Sequence, residues 1–336
     1  MRIPVLLLGL LMLSAASPPE PPPIPEILKP YVKDGLLVPG DFGWTRGYFS
    51  DASPADKAAT DSIEAWKKKC LADGVAWTRA ELAKMGVADP KLELTAGAPL
   101  LCRMYLSVPS TNEAGQTFAQ FQDVVGRAMP MAETYLTAIK AAKDSLYPPQ
   151  TFQAALFARP LAEQMLRRAW FWGQGEMKDV PPLAPPVQAL FVRRLVMATA
   201  AEDFANTEWL KKIVAEKGWP KISDVGEGAA LRAWLMVQHA DADPVFQLQV
   251  LRLMEPLLAK GDVSKSNYAY LYDRIMLKLN GKQRYASQMM CENGKRQPSP
   301  LEDEHAVERY RSEMGMPALV EYMKQMDERL GPCPPA

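Results

Sequence analysis

The fold class is decided by residues 228–281, which read GAALRAWLMVQHADADPVFQLQVLRLMEPLLAKGDVSKSNYAYLYDRIMLKLNG. Leu231 and Trp234 recur at helical spacing and share one apolar stripe, which predicts a helix. In the same stretch, Ser264 is an N-cap signal and Gly281 a C-cap signal for another helix. We therefore expect this region to form consecutive helices joined by short polar loops.

The same pattern of helices separated by cap and turn residues extends towards both ends of the chain. Ser53-Pro54 is a cap followed by proline at the first helical position, and Thr78 with Glu81 is a capping-box signal for a separate short helix. Further helices are predicted over residues 117–142, 151–172, 187–205, 207–216, 228–238, 244–261, 264–280 and 302–330. Breaks are expected at Pro130, at Pro148-Pro149 and around Gly315 and Pro317. Residues 92–107 are the best strand candidate. We predict a mainly α fold, a helical array of antiparallel helix pairs, with at most a minor β element in the N-terminal half.

The first residues have the layout of a secretory signal peptide. Arg2 precedes an unbroken apolar run over residues 5–13, and small residues follow it. The run is shorter than the roughly 20 residues that a membrane-spanning helix needs. Cleavage after Ala16 is expected, and it would place the mature protein in the periplasm or outside the cell. A buried structural helix is the alternative.

Segments rich in proline and glycine divide the remaining chain into predicted domains. Two glycines and two proline pairs mark residues 173–186 as a domain boundary. We predict a signal peptide at 1–16, a Pro-rich linker and extended segment at 17–50, an N-terminal helical domain at 51–172, a Gly/Pro linker at 173–186, and a C-terminal helical domain of unknown function at 187–336.

The charge composition argues against two classes of partner. Lys+Arg and Asp+Glu both number 39, so the formal net charge is zero. Without a basic excess, nothing drives binding to nucleic acid or to an anionic membrane. No later apolar stretch reaches spanning length, so no stable membrane insertion is expected after signal cleavage. The expected partner is an unknown small molecule or peptide.

The cysteines Cys70, Cys102, Cys291 and Cys333 are an even number in a chain predicted to leave the cytoplasm, which permits disulfides. We favour pairing Cys70 with Cys102 and Cys291 with Cys333, because each bridge then stays within one half of the chain. Buried free thiols are the alternative. Metal ligation is disfavoured because no spacing resembles a CxxC ligand pair.

A block of residues in the C-terminal third resembles a known family. It consists of Trp219-Pro220, Ser223, Val225-Gly226, 233–235 (AWL), 237–241 (VQHAD), 267–271 (NYAYL), Asp273-Arg274, Gln283, Tyr285 and Gln288. In these residues, the region 206–322 is similar to a bacterial domain family of unknown function. The resemblance implies a discrete helical domain, often carried on exported proteins, and no established activity. Ala286 and Ser287 depart from the glycine and threonine that the family pattern has there.

Polar residues at helix ends and on one helix face form the candidate site. His239 follows the end of a predicted helix, and ordered polar loops often carry function. Tyr270, Asp273 and Arg274 are spaced i, i+3 and i+4, so they share one face. We predict catalytic roles for His239, Asp241, Tyr270, Asp273 and Arg274. We predict ligand-binding roles for Gln238, Gln247, Asn267, Gln283, Tyr285 and Gln288.

These residues also have structural explanations. An imidazole at a helix C-terminus interacts favourably with the macrodipole, which accounts for His239 without chemistry. Asp243 is explained as an N-cap before Pro244. Asp273 and Arg274 could form an ion pair that ties neighbouring helices.

The loop that follows His239 is a candidate metal site. His239, Asp241 and Asp243 would suit a hard divalent ion such as Mn²⁺ or Mg²⁺. A multi-histidine zinc site is excluded because the chain has two histidines. We predict no metal and no cofactor, and the chain lacks GxSxG, P-loop, HExxH and dinucleotide-binding motifs.

Three functions remain open at this point. In the first, the C-terminal domain is a hydrolase or lyase with His239 as general base, Asp241 orienting it and Arg274 holding an anion. In the second, the same pocket binds its ligand without turnover, and in the third the helices are an envelope protein-interaction scaffold. Convergence of the predicted residues around one cavity favours the first two, whereas burial with mutual hydrogen bonding favours the third.

Overall fold

The structure is a computed structural model, and it describes residues 18–106, 116–173, 181, 183–331 and 333. The predicted signal peptide at 1–16 and residues 174–180 of the predicted linker lie outside the described residues. Helices make up most of the described chain, and two small antiparallel sheets accompany them, so the prediction of a mainly α fold is confirmed. None of the described helices combines the length and the apolar composition that crossing a bilayer requires.

The N-terminal half begins with short elements and continues with long helices. The short elements are the 3₁₀ helices Glu26–Tyr31 and Gly43–Tyr48 and the strands β1 (Val32–Lys33) and β2 (Leu36–Leu37). The α-helices are α1 (Pro54–Lys84), α2 (Leu100–Leu106), α3 (Phe118–Asp144), α4 (Phe152–Ala158), α5 (Leu161–Gly173) and α6 (Pro185–Lys217). Helix α6 has 33 residues, which at the helical rise gives it a length of about 50 Å.

The C-terminal half contains shorter helices and one hairpin. Its elements are α7 (Ile222–Val225), α8 (Glu227–Gln238), α9 (Pro244–Met254), the 3₁₀ helix Glu255–Lys260, α10 (Lys265–Asn280), β3 (Met289–Glu292), β4 (Lys295–Pro298), α11 (Val307–Glu313) and α12 (Leu319–Leu330). The predicted caps of α10, Ser264 and Gly281, are confirmed. The Ser264 side chain accepts a hydrogen bond from the Asn267 N–H, and Gly281 ends α10 with φ 76°.

Helix α6 joins the two main parts of the core. One part surrounds α8, α9 and α10, with Ala233, Val250 and Leu271 fully buried. The other surrounds α1 and α3, with Trp44 and Ile63 fully buried. Helix α6 packs against α3 and α5 and also against α8. Helix α6 therefore contacts both the N-terminal helices and α8.

The predicted separate helix at Thr78 is wrong. Helix α1 is continuous and buries both Thr78 and Glu81 within it. Its cap is Ser53, whose side chain accepts from the Asp56 N–H at 3.1 Å, and Asp56 completes the capping box. Burial against the rest of the fold thus overrides the local capping signal at Thr78.

The predicted break within α6 is wrong for a similar reason. Residues 187–205 and 207–216 belong to one helix. The Thr207 hydroxyl donates to the main-chain carbonyl of Asp203 at 2.7 Å, so it is satisfied inside the helix. Asn206 is 2% exposed and lies in the same turn.

The predicted strand at 92–107 is also wrong, because its second half is helix α2. The N-terminal half does contain a minor β element, the antiparallel pair β1 and β2. The hairpin of β3 and β4 lies in the C-terminal half, where no strand was predicted. Its turn residues Asn293 and Gly294 both have positive φ, 52° and 73°, and Asn-Gly is a strong hairpin signal.

The two disulfides have the predicted pairing. Cys70–Cys102 joins α1 to α2 with a Cα–Cα distance of 6.4 Å. Cys291–Cys333 joins β3 to the segment after α12 with a Cα–Cα distance of 5.6 Å. Each bridge therefore closes a loop within its own half of the chain.

Replacing Cys70 and Cys102 together by serine is expected to lower the free energy of unfolding by roughly 2–4 kcal/mol. The two cysteines are 32 positions apart, and the bridge restricts that loop in the unfolded chain. Urea unfolding of the oxidised proteins measures the difference, and the Cys291→Ser, Cys333→Ser variant is the control for losing any bridge. A loss below about 1 kcal/mol would contradict this role.

Candidate functional site

The imidazole of His239 contacts helix α5. His239 caps the C-terminus of α8, and its backbone N–H donates to the Leu235 carbonyl at 3.1 Å. Its Nδ1 lies 3.1 Å from Oε2 of Glu163, whose side chain is 1% exposed. A carboxylate in this position orients the ring and selects its tautomer. The pair therefore has the geometry of a base and the group that orients it.

Glu163 is the centre of a hydrogen-bond network. Gln164 Nε2 donates to both of its oxygens at 3.0 Å, and Arg167 Nε donates to Oε2 at 2.8 Å. Arg167 Nη2 also donates to Asp203 Oδ2 at 2.7 Å, so one guanidinium bridges carboxylates of α5 and α6. The other oxygen of Asp203 is buried and has no hydrogen-bond partner among the described residues. A full negative charge on Asp203 is therefore poorly stabilised.

The two carboxyl groups have opposite pKa shifts. Burial opposes the ionisation of Glu163, but hydrogen bonding with His239 and the charge of Arg167 hold the pKa of Glu163 below its ordinary value. Burial, aided by the Glu163 charge and only partly offset by Arg167, raises the pKa of Asp203 to about 7. Neighbouring titratable groups whose pKa values are pushed apart often serve as the acid and the base of one site.

Asp203→Asn is expected to change how stability depends on pH. Because the pKa of Asp203 is raised to about 7, the folded protein binds more protons than the unfolded chain between about pH 4 and that value. The contribution of Asp203 to the free energy of unfolding therefore falls as pH rises through this window. The variant loses this slope and should gain stability relative to wild type as pH rises from about 4 to about 7. Urea unfolding at each pH measures the difference, and a constant difference would contradict the raised pKa.

Asp203 and His239 line the same cavity. Its volume is about 60 Å³, enough for about two water molecules. Two cations, Arg103 and Lys211, also line it. Lys211 is paired with Asp243 at 2.5 Å, whereas Arg103 Nε is buried and has no hydrogen-bond partner among the described residues. Arg103 therefore places a positive charge in the wall of the cavity, while its Nε donor is buried away from the cavity space.

Glu163, Asp203 and His239 are also the residues that could hold a metal ion, because their ligand atoms lie within 4.8 Å of one another. The sequence suggests a metal site made of His239, Asp241 and Asp243, and only His239 belongs to both sets. Arg167 already donates to both carboxylates. An ion would have to displace this guanidinium, so the arrangement favours proton transfer over metal binding.

Asp241 and Arg274, predicted to act beside His239, form an ion pair with each other. Arg274 Nε donates to Asp241 Oδ1 at 2.7 Å, while its Nη2 contacts the second oxygen, and Lys278 donates to Oδ1 at 2.6 Å. Burial raises the pKa of Asp241, but Arg274 and Lys278 outweigh it and hold this pKa well below its usual range. The partner of His239 is thus Glu163, and Asp241 joins the loop to α10.

Asp273 anchors the loop that follows α10. It is fully buried and accepts hydrogen bonds from the backbone N–H groups of Arg284 at 2.8 Å, Tyr285 at 2.9 Å and Ser287 at 2.8 Å. Burial raises the pKa of Asp273, while these three backbone donors lower it. The carboxylate therefore organises the chain around it.

Asp273→Ala is expected to cost roughly 3 kcal/mol of unfolding free energy, because it leaves three buried backbone donors without their acceptor. Asp327→Ala is the control, since Asp327 is 55% exposed and pairs with Arg296 at the surface. That change should cost about 1 kcal/mol or less. Chemical denaturation of both variants measures the costs, and equal values would contradict the anchoring role.

The two predicted tyrosines lie in an aromatic cluster. The Tyr270 ring is 6.3 Å from Trp234 and 6.2 Å from Tyr322, centroid to centroid. The Tyr285 ring is 5.5 Å from that of Tyr272, and Tyr285 is 6% exposed. Packing accounts for both rings.

The predicted amide residues mostly bind the main chain. Gln247 Nε2 donates to the carbonyls of Val237 at 3.0 Å and Gln238 at 3.4 Å, at the end of α8. Gln283 Nε2 donates to the carbonyls of Gln288 and Ser299, both at 2.8 Å. These amides therefore tie loops together. Gln288 Nε2 donates to the Ser287 hydroxyl at 3.1 Å, Gln238 is buried, and Asn267 lines a different cavity. Of the predicted catalytic residues, only His239 lines the cavity beside Asp203.

The residues that sequence reasoning missed lie before the predicted C-terminal domain or inside its first helix. Glu163 and Arg167 are an i, i+4 pair on one helix, a pattern that usually marks a solvated surface pair. Asp203 lies beside the helix break that was wrongly predicted. Arg103 lies in the region predicted to be a strand. The sequence does show the i, i+4 spacing of an acidic and a basic residue, Glu163 and Arg167. This spacing gives no indication that Glu163 contacts His239.

Comparison with known proteins gives a family match for part of the chain. No curated protein and no solved structure matches the chain. A family match covers Asp203 and His239 but begins after Glu163 and Arg167. Residues 189–332 match the model of a family of unknown function (DUF6624), which confirms the resemblance of the C-terminal region to an uncharacterised family.

Proposed function

We propose that this chain is an exported hydrolase that works by acid–base chemistry at Glu163, Asp203 and His239. The observation that carries the proposal is that His239 and Asp203 line one cavity while a buried carboxylate contacts His239 Nδ1 at 3.1 Å. Export rests on the signal-peptide pattern of the first 16 residues. Nucleotide cofactors are scarce outside the cytoplasm, which favours hydrolysis over energy-coupled or reductive chemistry.

His239 is the general base in this mechanism. With Glu163 accepting from Nδ1–H, the lone pair of the neutral ring lies on Nε2. In the cavity this nitrogen takes a proton from a water molecule as the water attacks the substrate carbonyl. The pKa of Glu163 is held low, so its carboxylate stays ionised and stabilises the imidazolium that forms.

Asp203 is the general acid. Its pKa is raised to about 7, so a large fraction carries a proton near neutral pH. It gives this proton to the leaving-group oxygen as the carbon–oxygen bond breaks. Arg167, 2.7 Å from Oδ2, then stabilises the carboxylate that remains.

The cavity restricts which part of a substrate can enter. A volume of about 60 Å³ admits a small terminal group and leaves the rest of the molecule outside. Arg103 lines the wall, and a guanidinium binds carboxylates well. The substrate class is therefore a small ester that carries a carboxylate.

Turnover of acetoxyacetate and of its neutral methyl ester tests this proposal. Acetate release from the anionic ester should have the higher kcat/KM, because Arg103 binds its carboxylate. Arg103→Gln should abolish the preference while the reaction with the neutral ester is retained. Equal rates for the two esters, or a preference that survives Arg103→Gln, would contradict the proposed substrate class.

A protein-interaction scaffold is the second candidate. It is favoured by the mutual pairing of Asp241 with Arg274 and Lys278 and by the structural role of Asp273. In that case the Glu163 network only holds α5, α6 and α8 together. The scaffold predicts that His239 variants change stability alone.

A further inference from the structure

A second, larger cavity lies near the opposite end of α8 from His239. Its volume is about 470 Å³, within the range of small-molecule sites. We call it the tryptophan cleft, after Trp219 and Trp234, which line it with Glu227 and Asn267. Trp234 and His239 are five positions apart, roughly 8 Å along the helix, and the other lining positions of α8 are farther away. The cleft is therefore separate from the cavity at His239.

The aromatic wall of the cleft is held in place before a ligand arrives. The Trp234 indole N–H donates to the main-chain carbonyl of Asn267 at 2.7 Å. Trp219 is 5% exposed and belongs to the C-terminal core. Rings fixed in this way lose little conformational entropy on binding.

The charge of the cleft is negative. Among the described residues that line it, Glu227 is the only charged one. Glu227 is exposed and forms no ion pair or hydrogen bond through its carboxylate with the described residues. An anion would be repelled, whereas a cation would meet both the carboxylate of Glu227 and the partly exposed indole of Trp234, which lines the cleft.

We infer that the tryptophan cleft binds a small organic cation, an amine or a quaternary ammonium group. Indole is the best aromatic partner for such a group, and the attraction increases when water is excluded from the contact. Ala230 and Leu231 give the cleft apolar wall for the carbon part of the ligand. This binding site is independent of the proposed hydrolysis at His239.

Isothermal titration of the full chain with choline tests the inference, with 3,3-dimethylbutan-1-ol as the neutral molecule of the same shape. Choline should bind at least about tenfold more tightly than the alcohol, because only choline carries the charge. Glu227→Gln should weaken choline binding about tenfold. Glu216→Gln is the matched control, since it removes one exposed carboxylate outside the cleft and should leave the affinity unchanged.

The variants Trp234→Phe and Trp234→Leu distinguish the contribution of the aromatic ring to binding from any effect of the substitution on folding. Phenylalanine keeps an aromatic face and should retain part of the affinity, whereas leucine should abolish binding, with folding checked by circular dichroism. The inference is overturned if choline gives no binding heat, if the alcohol binds equally, or if Glu227→Gln behaves like Glu216→Gln. Titration with glucose in place of choline would overturn it if glucose bound and choline did not. His239→Ala should bind choline as wild type does, so the two proposals fail separately.

Discussion

Replacing His239 by alanine is expected to lower kcat/KM for acetoxyacetate by about 100-fold or more, because general-base catalysis contributes about 10²–10⁴-fold. The side chain lines the cavity, and its Nδ1 contact with Glu163 leaves Nε2 for the reacting water. Alanine removes that acceptor while the Arg167 bridge between Glu163 and Asp203 remains. The loss should therefore fall on kcat more than on KM. Acetate release under saturating and limiting substrate measures both constants.

The second histidine supplies the control for this prediction. His305 is exposed near the start of α11, so His305→Ala should leave kcat/KM unchanged. His239→Gln, which keeps much of the volume, should be as inactive as His239→Ala. If His239→Ala loses stability but retains turnover, the catalytic role is refuted and the scaffold is favoured.

Glu163→Ala is expected to lower the free energy of unfolding by about 3 kcal/mol, since it removes the buried carboxylate that accepts hydrogen bonds from Arg167 and Gln164. Glu163 is 1% exposed on its side chain and accepts from Arg167 and Gln164. After the substitution, Arg167 keeps only Asp203. Urea unfolding with the disulfides intact measures the change.

A surface ion pair provides the comparison for Glu163. Glu133 is 50% exposed and pairs with Arg194 at 2.8 Å, so Glu133→Ala should cost about 1 kcal/mol or less. Glu163→Gln keeps the shape and should cost less than alanine. If Glu163→Ala and Glu133→Ala cost the same, the buried network does not stabilise the fold as described.

The ends of several helices could be predicted because their caps are local. Ser264 accepts from a backbone N–H three residues later, and Gly281 adopts the left-handed conformation that ends α10. Both effects need only the residues of one turn, so they can be read from the sequence. The disulfide pairing followed from a similarly simple argument, that each bridge stays within one half of the chain.

Capping and strand patterns in the sequence led to wrong predictions where tertiary packing determines the secondary structure. Thr78 and Asn206 have the chemistry of N-caps, yet both are buried within long helices. The gain from packing the continuous helices exceeds the small local preference for a cap. The predicted strand failed for the same reason, since Leu101, Met104 and Tyr105 are buried at the i, i+3, i+4 spacing of one helix face.

The partner of His239 could not be predicted because it comes from a distant helix. Glu163 is 76 positions earlier, and only the packing of α5 beside the end of α8 brings the two together. Asp241, two residues away, was the obvious choice from the sequence, but Arg274 and Lys278 bind it. The raised pKa of Asp203 also results from burial, which the sequence of α6 alone does not reveal.

In the proposed mechanism, Glu163 holds His239 in the Nδ1–H tautomer, with Nε2 free to accept a proton. Nitrogen-15 NMR of the two histidines tests it most directly, with His305→Ala assigning the signals. When the ring is neutral, His239 should carry its proton on Nδ1 and leave Nε2 bare, and Glu163→Gln should reduce this preference. A neutral His239 with its proton on Nε2 and a bare Nδ1 would contradict the account.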